Sequence, residues 1–188
     1  MRIIVGITGA SGAIYGVRLV EKLRRVPGTE IHLVMTRSGE RTLFLETGKK
    51  PDSLRSQVHA SYPIEDIGAA LASGSFLTEA MVVAPCSVRT LGAIASCDSS
   101  NLLLRAADVT LKEHRRLVLM FRETPLHLGH LRAMAAVTEM GAIVAPPVPG
   151  FYFKPQTVMD LVDHSVDRVL DLIGLPAEDA RRWPPETR

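Results

Sequence analysis

The sequence predicts one α/β domain, residues 1–188, built as a doubly wound parallel sheet in three αβα layers. Three observations predict it. Short apolar runs recur along the whole chain. They are continuous rather than alternating, as strands covered on both faces require. Between them lie segments with an apolar stripe at helical spacing, and strand–helix alternation of this kind implies parallel pairing.

In order, Ile3–Ile7 reads as the first strand and ends in the glycine turn Gly6-Ile7-Thr8-Gly9-Ala10-Ser11-Gly12. Ala13–Leu23 follows with one apolar stripe, and Ile31–Met35 is the second strand. Gly48–Pro63 is the least regular stretch, with a helix start at Pro51-Asp52-Ser53. Met81–Ala84 is a strand, Val88–Ala95 a helix and Leu117–Phe121 a strand; Leu126–Val137 is a helix and Ala142–Ala145 the last strand. Pro146-Pro147-Val148-Pro149-Gly150 is a rigid loop, Thr157–Ile173 a long helix, and Arg181–Arg188 a tail without regular structure unless it docks. This order fits a Rossmann-like or flavodoxin-like sheet, with the tail from about 176 to 188 covering the site.

Composition narrows the function. Hydrophobic residues make up 46% and charged residues 22%, an ordinary globular balance. A net charge of +2 and 5% aromatics lack the basic face and stacking platforms that nucleic acid needs. The start MRIIVGITG reads as a strand and not a secretory leader, and no run is long enough to span a membrane. Cys86 and Cys97 cannot form a disulfide framework; they read as buried thiols in a reducing cytoplasm.

Two strand–helix junctions invite an anion. Small residues at Gly9–Gly12 let a phosphate approach the amides of a helix N-terminus, where the dipole favours negative charge. The second strand ends in Met35-Thr36-Arg37-Ser38, without the carboxylate that NAD ribose wants. That disfavours NAD, leaves NADP as a minor option through Arg37, and suits a mononucleotide such as FMN, with Thr36 free to bond its ring or ribityl chain. At Pro85-Cys86-Ser87-Val88-Arg89-Thr90, Ser87 is either a helix cap or a ligand contact. The richest stretch is Arg105–Pro125, where Arg105, Lys112, Arg115, Arg116 and Arg122 surround a buried strand and Glu123 stands beside Arg122 at its carboxyl end. Such a place suits an anionic, phosphorylated ligand.

Together, Gly6–Leu19, ASGSF (Ala72–Phe76), APCSVRTL (Ala84–Leu91), NLLLRAADVTLKE (Asn101–Glu113), RETPLHLGHL (Arg122–Leu131) and GFYFKP (Gly150–Pro155) closely resemble the UbiX-type flavin prenyltransferases. The likeness runs from residue 3 to about residue 183. It implies an enzyme that attaches a dimethylallyl group from dimethylallyl phosphate to reduced FMN, closing a ring across N5 and C6 without a metal. The product would serve UbiD-type decarboxylases. It also implies a cytoplasmic homo-oligomer, a dodecamer, whose pockets are completed by neighbouring subunits. By the same resemblance Gly9, Ala10, Ser11, Thr36, Ser87, Val88, Arg89, Thr90 and Arg122 contact the flavin. Arg105, Lys112, Glu123, Tyr152, Arg168 and Trp183 hold dimethylallyl phosphate, and Ser11, Glu46, Lys112 and Glu123 act in catalysis. Ring closure needs a proton acceptor, either Glu46 with Ser11 or the released phosphate. Pro184-Pro185 departs from the family pattern after Trp183, and Ala133 replaces a larger residue.

Other residues have plainer readings. Arg115 and Arg116 read as a solvated helix end, Tyr15 as core, Asp108 as a local anchor, and the Asp160–Asp171 charges as mostly facing water. His127 and His130 share a helix face but lack a third metal ligand. The rival functions are a non-catalytic flavin carrier for a decarboxylase and a cysteine-type flavoprotein decarboxylase; the latter wants a His–Asn arrangement that is not apparent in the sequence.

Overall fold

The computed structural model describes residues 1–177 and 180–183. Among these residues, six parallel strands form one sheet in the order β3-β2-β1-β4-β5-β6. The strands are β1 (Arg2–Ile7), β2 (Glu30–Met35), β3 (Ala60–Tyr62), β4 (Ala80–Cys86), β5 (Arg116–Phe121) and β6 (Ile143–Val144). The helices are α1 (Ala13–Leu23), α2 (Arg37–Thr47), α3 (Pro51–Arg55), α4 (Val88–Ala95), α5 (Leu102–Lys112), α6 (Leu128–Glu139) and α7 (Val158–Leu172). The strand order is that of a doubly wound nucleotide-binding sheet, whose direction of winding reverses between β1 and β4.

The continuous apolar runs are explained by two cores, one on each face. Along β1, Ile3, Val5 and Ile7 point into the core with α1 and α7, while Ile4 points into the core with α4, α5 and α6. β5 repeats the alternation, with Val118 and Met120 on the first face and Leu117, Leu119 and Phe121 on the second. Residues in the middle of these central strands are therefore covered on both faces.

The edges depart from the expectations. β3 falls inside the stretch read as irregular; its three residues are each half-buried and offer no apolar run. β6 is shorter than Ala142–Ala145. α6 begins two residues later than expected because His127 caps it, its Nδ1 accepting the Gly129 N–H at 3.0 Å. α7 is held at its start by a reciprocal cap between Thr157 and Asp160. Its acidic residues do not mainly face water. Asp163 accepts two bonds from Arg18 at 2.8 Å, and Asp167 pairs with the buried Lys22, so α7 is fastened to α1 by charge as well as by Val162 and Val166.

Candidate active site

At the carboxyl edge, where winding reverses, β1 and β4 send their chains to opposite faces and leave a crevice. Thr8 fixes its floor. Its buried hydroxyl donates to the Pro85 carbonyl at 2.6 Å and accepts the Ser87 N–H at 2.9 Å, tying the two strand ends together. The crevice has two lobes that share Ser87 and Arg89. The larger, about 640 Å³, lies between Gly9-Ala10-Ser11 on one side and Arg122-Glu123-Thr124 and Pro146-Pro147-Val148 on the other. The smaller, about 420 Å³, runs past Thr36, Ser38, Thr90 and Asn101. These sizes suit a cofactor-sized ligand.

The glycine turn is built differently from a free phosphate cradle. Gly12 adopts φ 102°, a left-handed conformation, and has no side chain to cap α1. Glu46, reaching over from the end of α2, does so instead. Its carboxylate accepts the Gly12 N–H at 2.9 Å and the Ala13 N–H at 2.9 Å. Burial pushes the Glu46 carboxyl up, but bonds from the Ser11 side chain and these amides, with the field of Arg122, more than offset it and hold it below the usual range. The expected phosphate place at the start of α1 is thus taken by the protein's own carboxylate, which sits at the lip of the crevice beside Ser11. Gly9 matters for another reason: a Cβ there would lie 2.6 Å from the Ser38 side chain.

The remaining crevice residues combine capping with exposure. Ser87 Oγ accepts the Thr90 N–H at 3.3 Å and lies 3.1 Å from Thr90 Oγ1, so Ser87 is both cap and lining residue, while Thr90 is buried behind it. Thr36 Oγ1 accepts the Gly39 N–H at 3.0 Å and lies 3.1 Å from Ser38 Oγ, so this hydroxyl caps α2 and pairs with Ser38 at the crevice wall. Arg37 pairs with Glu65 at 2.6 Å on the exposed rim of the smaller lobe. Arg89, Arg122 and Glu123 are exposed on the crevice, with Glu123 accepting the Thr124 N–H at 2.9 Å. Val88, Phe121 and Val148 supply apolar surface between the cations.

The other sequence candidates lie in two separate surface groups. Arg105, Asp108 and Lys112 share one face of α5; Arg105 bonds Asp108 at 2.6 Å and the Ala72 carbonyl at 3.2 Å, and Lys112 bonds Glu113 at 2.5 Å. Lys112 ends α5, about 16 Å along the helix axis from its crevice-side start. Tyr152, Trp183 and Arg168 gather around α7, where the Tyr152 and Trp183 rings meet edge to face at 5.4 Å and Arg168 bonds Asp171 at 3.3 Å. Within one chain the cationic residues therefore do not converge on Arg122. Pro184-Pro185 and residues 178–179 lie outside the described residues.

Two plain readings, those of Arg115 and Cys97, need correction. Arg115 is not solvated; it is nearly buried and donates to the Gly74 and Phe76 carbonyls at 2.7 and 3.0 Å. Tyr15 is half-buried and packs against the first core, with its ring and the Arg122 side chain both close to Gly12. Cys97 is exposed, whereas Cys86 is buried with its thiol pushed well above its ordinary value. His127 and His130 stack at 3.6 Å, and among the described residues no group of three His, Cys, Asp or Glu could hold a metal. Sequence reasoning missed Thr8, Ser38 and the lining role of Pro146–Val148, although the last follows β6 at the same edge that singled out Arg122.

Comparison with known proteins fits this geometry. A family model described as Flavoprotein matches residues 1–170. The flavin prenyltransferase UbiX of Thauera aromatica is 51% identical over 183 residues, 97% of this chain and 94% of that protein. A dodecameric FMN-dependent UbiX-like decarboxylase from Escherichia coli O157:H7 superposes with a TM-score of 0.95 at 46% identity, covering 97% of this chain and 99% of that one. AnUbiX (PadA1), solved in complex with FMN and dimethylallyl pyrophosphate, gives 0.95 at 46% identity, covering 99% and 98%. The chain belongs to the UbiX-type flavin prenyltransferases of the flavoprotein family.

Proposed function

We propose that this chain transfers a dimethylallyl group from dimethylallyl phosphate to reduced FMN, giving prenylated FMN for a UbiD-type decarboxylase. The observation that carries the reading is the crevice at the β1/β4 switch, with Arg89 and Arg122 on its walls and the Ser11–Glu46 pair at its lip. FMN suits this donor set. Apolar Val88, Phe121 and Val148 offer faces to a flat ring, and Ser11, Ser87 and the guanidinium groups offer bonds to its polar edge and phosphate.

The reaction breaks the C–O bond to phosphate and forms a C–N bond at flavin N5, which gives up its proton; the prenyl double bond then takes up a proton and its cationic carbon bonds C6, whose own proton leaves. Negative charge grows on the departing phosphate, and fixed cations stabilise it as a metal ion would. Arg122 is in place within one chain. Arg105 and Lys112 on α5, and Tyr152, Arg168 and Trp183 around α7, would reach the crevice from neighbouring copies. The exposed apolar side chains Leu126, Leu128 and Leu131 beside the crevice, and Val148, Phe151 and Val158, favour such packing. The dodecameric relative supports an assembly of this kind. The dimethylallyl pyrophosphate held by AnUbiX supports the donor class. Glu46 is a weak base, but loss of the C6 proton restores ring conjugation, so a weak base placed beside Ser11 suffices. Reduced flavin and the unpaired thiols Cys86 and Cys97 suit the cytoplasm.

The test is to incubate the protein with reduced FMN and dimethylallyl phosphate, then measure phosphate release and the mass of the flavin. Stoichiometric phosphate with a flavin heavier by one prenyl group supports the reading. Flavin binding without either product would make the chain a carrier instead. Dimethylallyl pyrophosphate run in parallel identifies the preferred donor.

A further inference from the structure

We infer that His164 is a positioning residue that clasps the Tyr152 hydroxyl and, through it, the Arg181–Trp183 segment. The inference rests on the assignment of Tyr152 and Trp183 to the donor pocket, and it adds what holds those two rings in place.

Tyr152 Oη lies 3.0 Å from His164 Nε2 and 3.3 Å from the Arg181 carbonyl. A phenol has one proton, and a carbonyl can only accept it. The Tyr152 proton therefore goes to Arg181, and His164 must donate its Nε2–H to the phenol oxygen. The other ring nitrogen agrees. His164 Nδ1 is buried and has no hydrogen-bond partner among the described residues. A bare lone pair is easier to leave there than an N–H, so the neutral Nε2–H form fits both sides of the ring.

The ring is also gripped sterically. Phe153 stacks on it at 4.7 Å and 15°, and the Arg181 guanidinium lies over the Phe153 ring at 5.5 Å. Tyr152 meets His164 edge-on at 5.7 Å and Trp183 edge-on at 5.4 Å. Gly150 leaves the room this pair needs, since a Cβ there would lie 2.7 Å from Tyr152 and 3.5 Å from His164. The chain thus runs His164 to Tyr152 to Arg181 to Trp183, and joins α7 to the C-terminal segment beside the Arg182–Asp171 ion pair at 2.6 Å.

The experiment uses full-length protein and the sequence's one tryptophan as reporter. His164→Phe keeps a flat ring against Phe153 and loses both nitrogens, His164→Gln keeps a donor, and Tyr152→Phe removes the hydroxyl. His164→Phe and Tyr152→Phe are expected to lower the fluorescence anisotropy of the exposed Trp183 equally, with no further drop in the double variant, and His164→Gln to restore part of it. KM for dimethylallyl phosphate should rise roughly three- to tenfold, the value of one hydrogen bond, with FMN affinity unchanged. Unchanged Trp183 anisotropy in both His164→Phe and Tyr152→Phe would overturn the clasp. A Trp183 response with unchanged KM in Tyr152→Ala would support the clasp and refute the donor-pocket assignment.

Discussion

Replacing Glu46 by Gln separates the two duties the structure gives that carboxylate. In its structural duty it caps α1, accepting the Gly12 and Ala13 N–H groups at 2.9 Å because Gly12 has no side chain to do so. Gln keeps one acceptor oxygen but loses the charge. A hydrogen bond to a charged group contributes about 1.5–3 kcal/mol against about 0.5–1.5 for a neutral one, so two bonds lose roughly 2 kcal/mol. Glu46 is exposed, and solvent screening reduces this to about 1 kcal/mol. For a chain of this size that lowers Tm by about 2–4 °C. The pH dependence has a definite sign. The folded carboxyl lies below its ordinary value of 4.5, so its contribution is complete above that value and fades as pH falls through the folded one. The Tm gap between the two proteins should therefore be constant at neutral pH and narrow below about pH 4.5. In its chemical duty Glu46 stands with Ser11 at the crevice lip. The variant should bind FMN and release phosphate, yet accumulate the flavin adduct before ring closure, resolved by chromatography and absorbance. Normal ring closure by Glu46→Gln would remove Glu46 from the chemistry. An unchanged Tm at pH 7 would refute the cap.

Thr8→Val keeps the side-chain volume but leaves the Pro85 carbonyl and the Ser87 N–H without their partner, so thermal denaturation should show a loss of about 2–3 kcal/mol. Flavin affinity should fall about tenfold in the same variant, measured by fluorescence quenching, because the crevice floor loosens. Lys22→Met removes one member of a nearly buried ion pair with Asp167 and should cost about 3 kcal/mol, a Tm drop of about 6–12 °C, with FMN binding at 25 °C preserved.

The centre of the fold was legible and its rims were not, for physical reasons. Buried central strands such as Ile3–Ile7 must be apolar throughout, and that constraint shows directly in the residues. The edge strand Ala60–Tyr62 is half-buried and carries no such constraint, so nothing in its composition announces it. Caps legible in sequence, such as Ser87 before α4, were visible because donor and acceptor are three residues apart. The cap of α1 by Glu46 was invisible as a cap, since its partners are 33 and 34 positions away and only the fold brings them together. Asp163 and Asp167 were misread for the same reason: their partners Arg18 and Lys22 are 145 positions distant. Of the candidate site, the crevice walls follow from the rule that ligands sit beyond strand carboxyl ends. Tyr152 and Arg168 follow from family likeness alone, because no periodicity in one chain relates them to Arg122.

That separation makes the assembly of the pocket the point on which the account turns. Co-expression of an Arg122→Ala chain with an Arg168→Ala chain, each inactive alone, tests it directly in the mixed oligomer. If crevice and α7 clamp come from different copies, random mixing leaves about a quarter of the pockets with both arginines and restores about that share of the wild-type prenylation rate. Activity no higher than that of either variant alone would mean that one chain must supply both residues, and the composite pocket would be wrong.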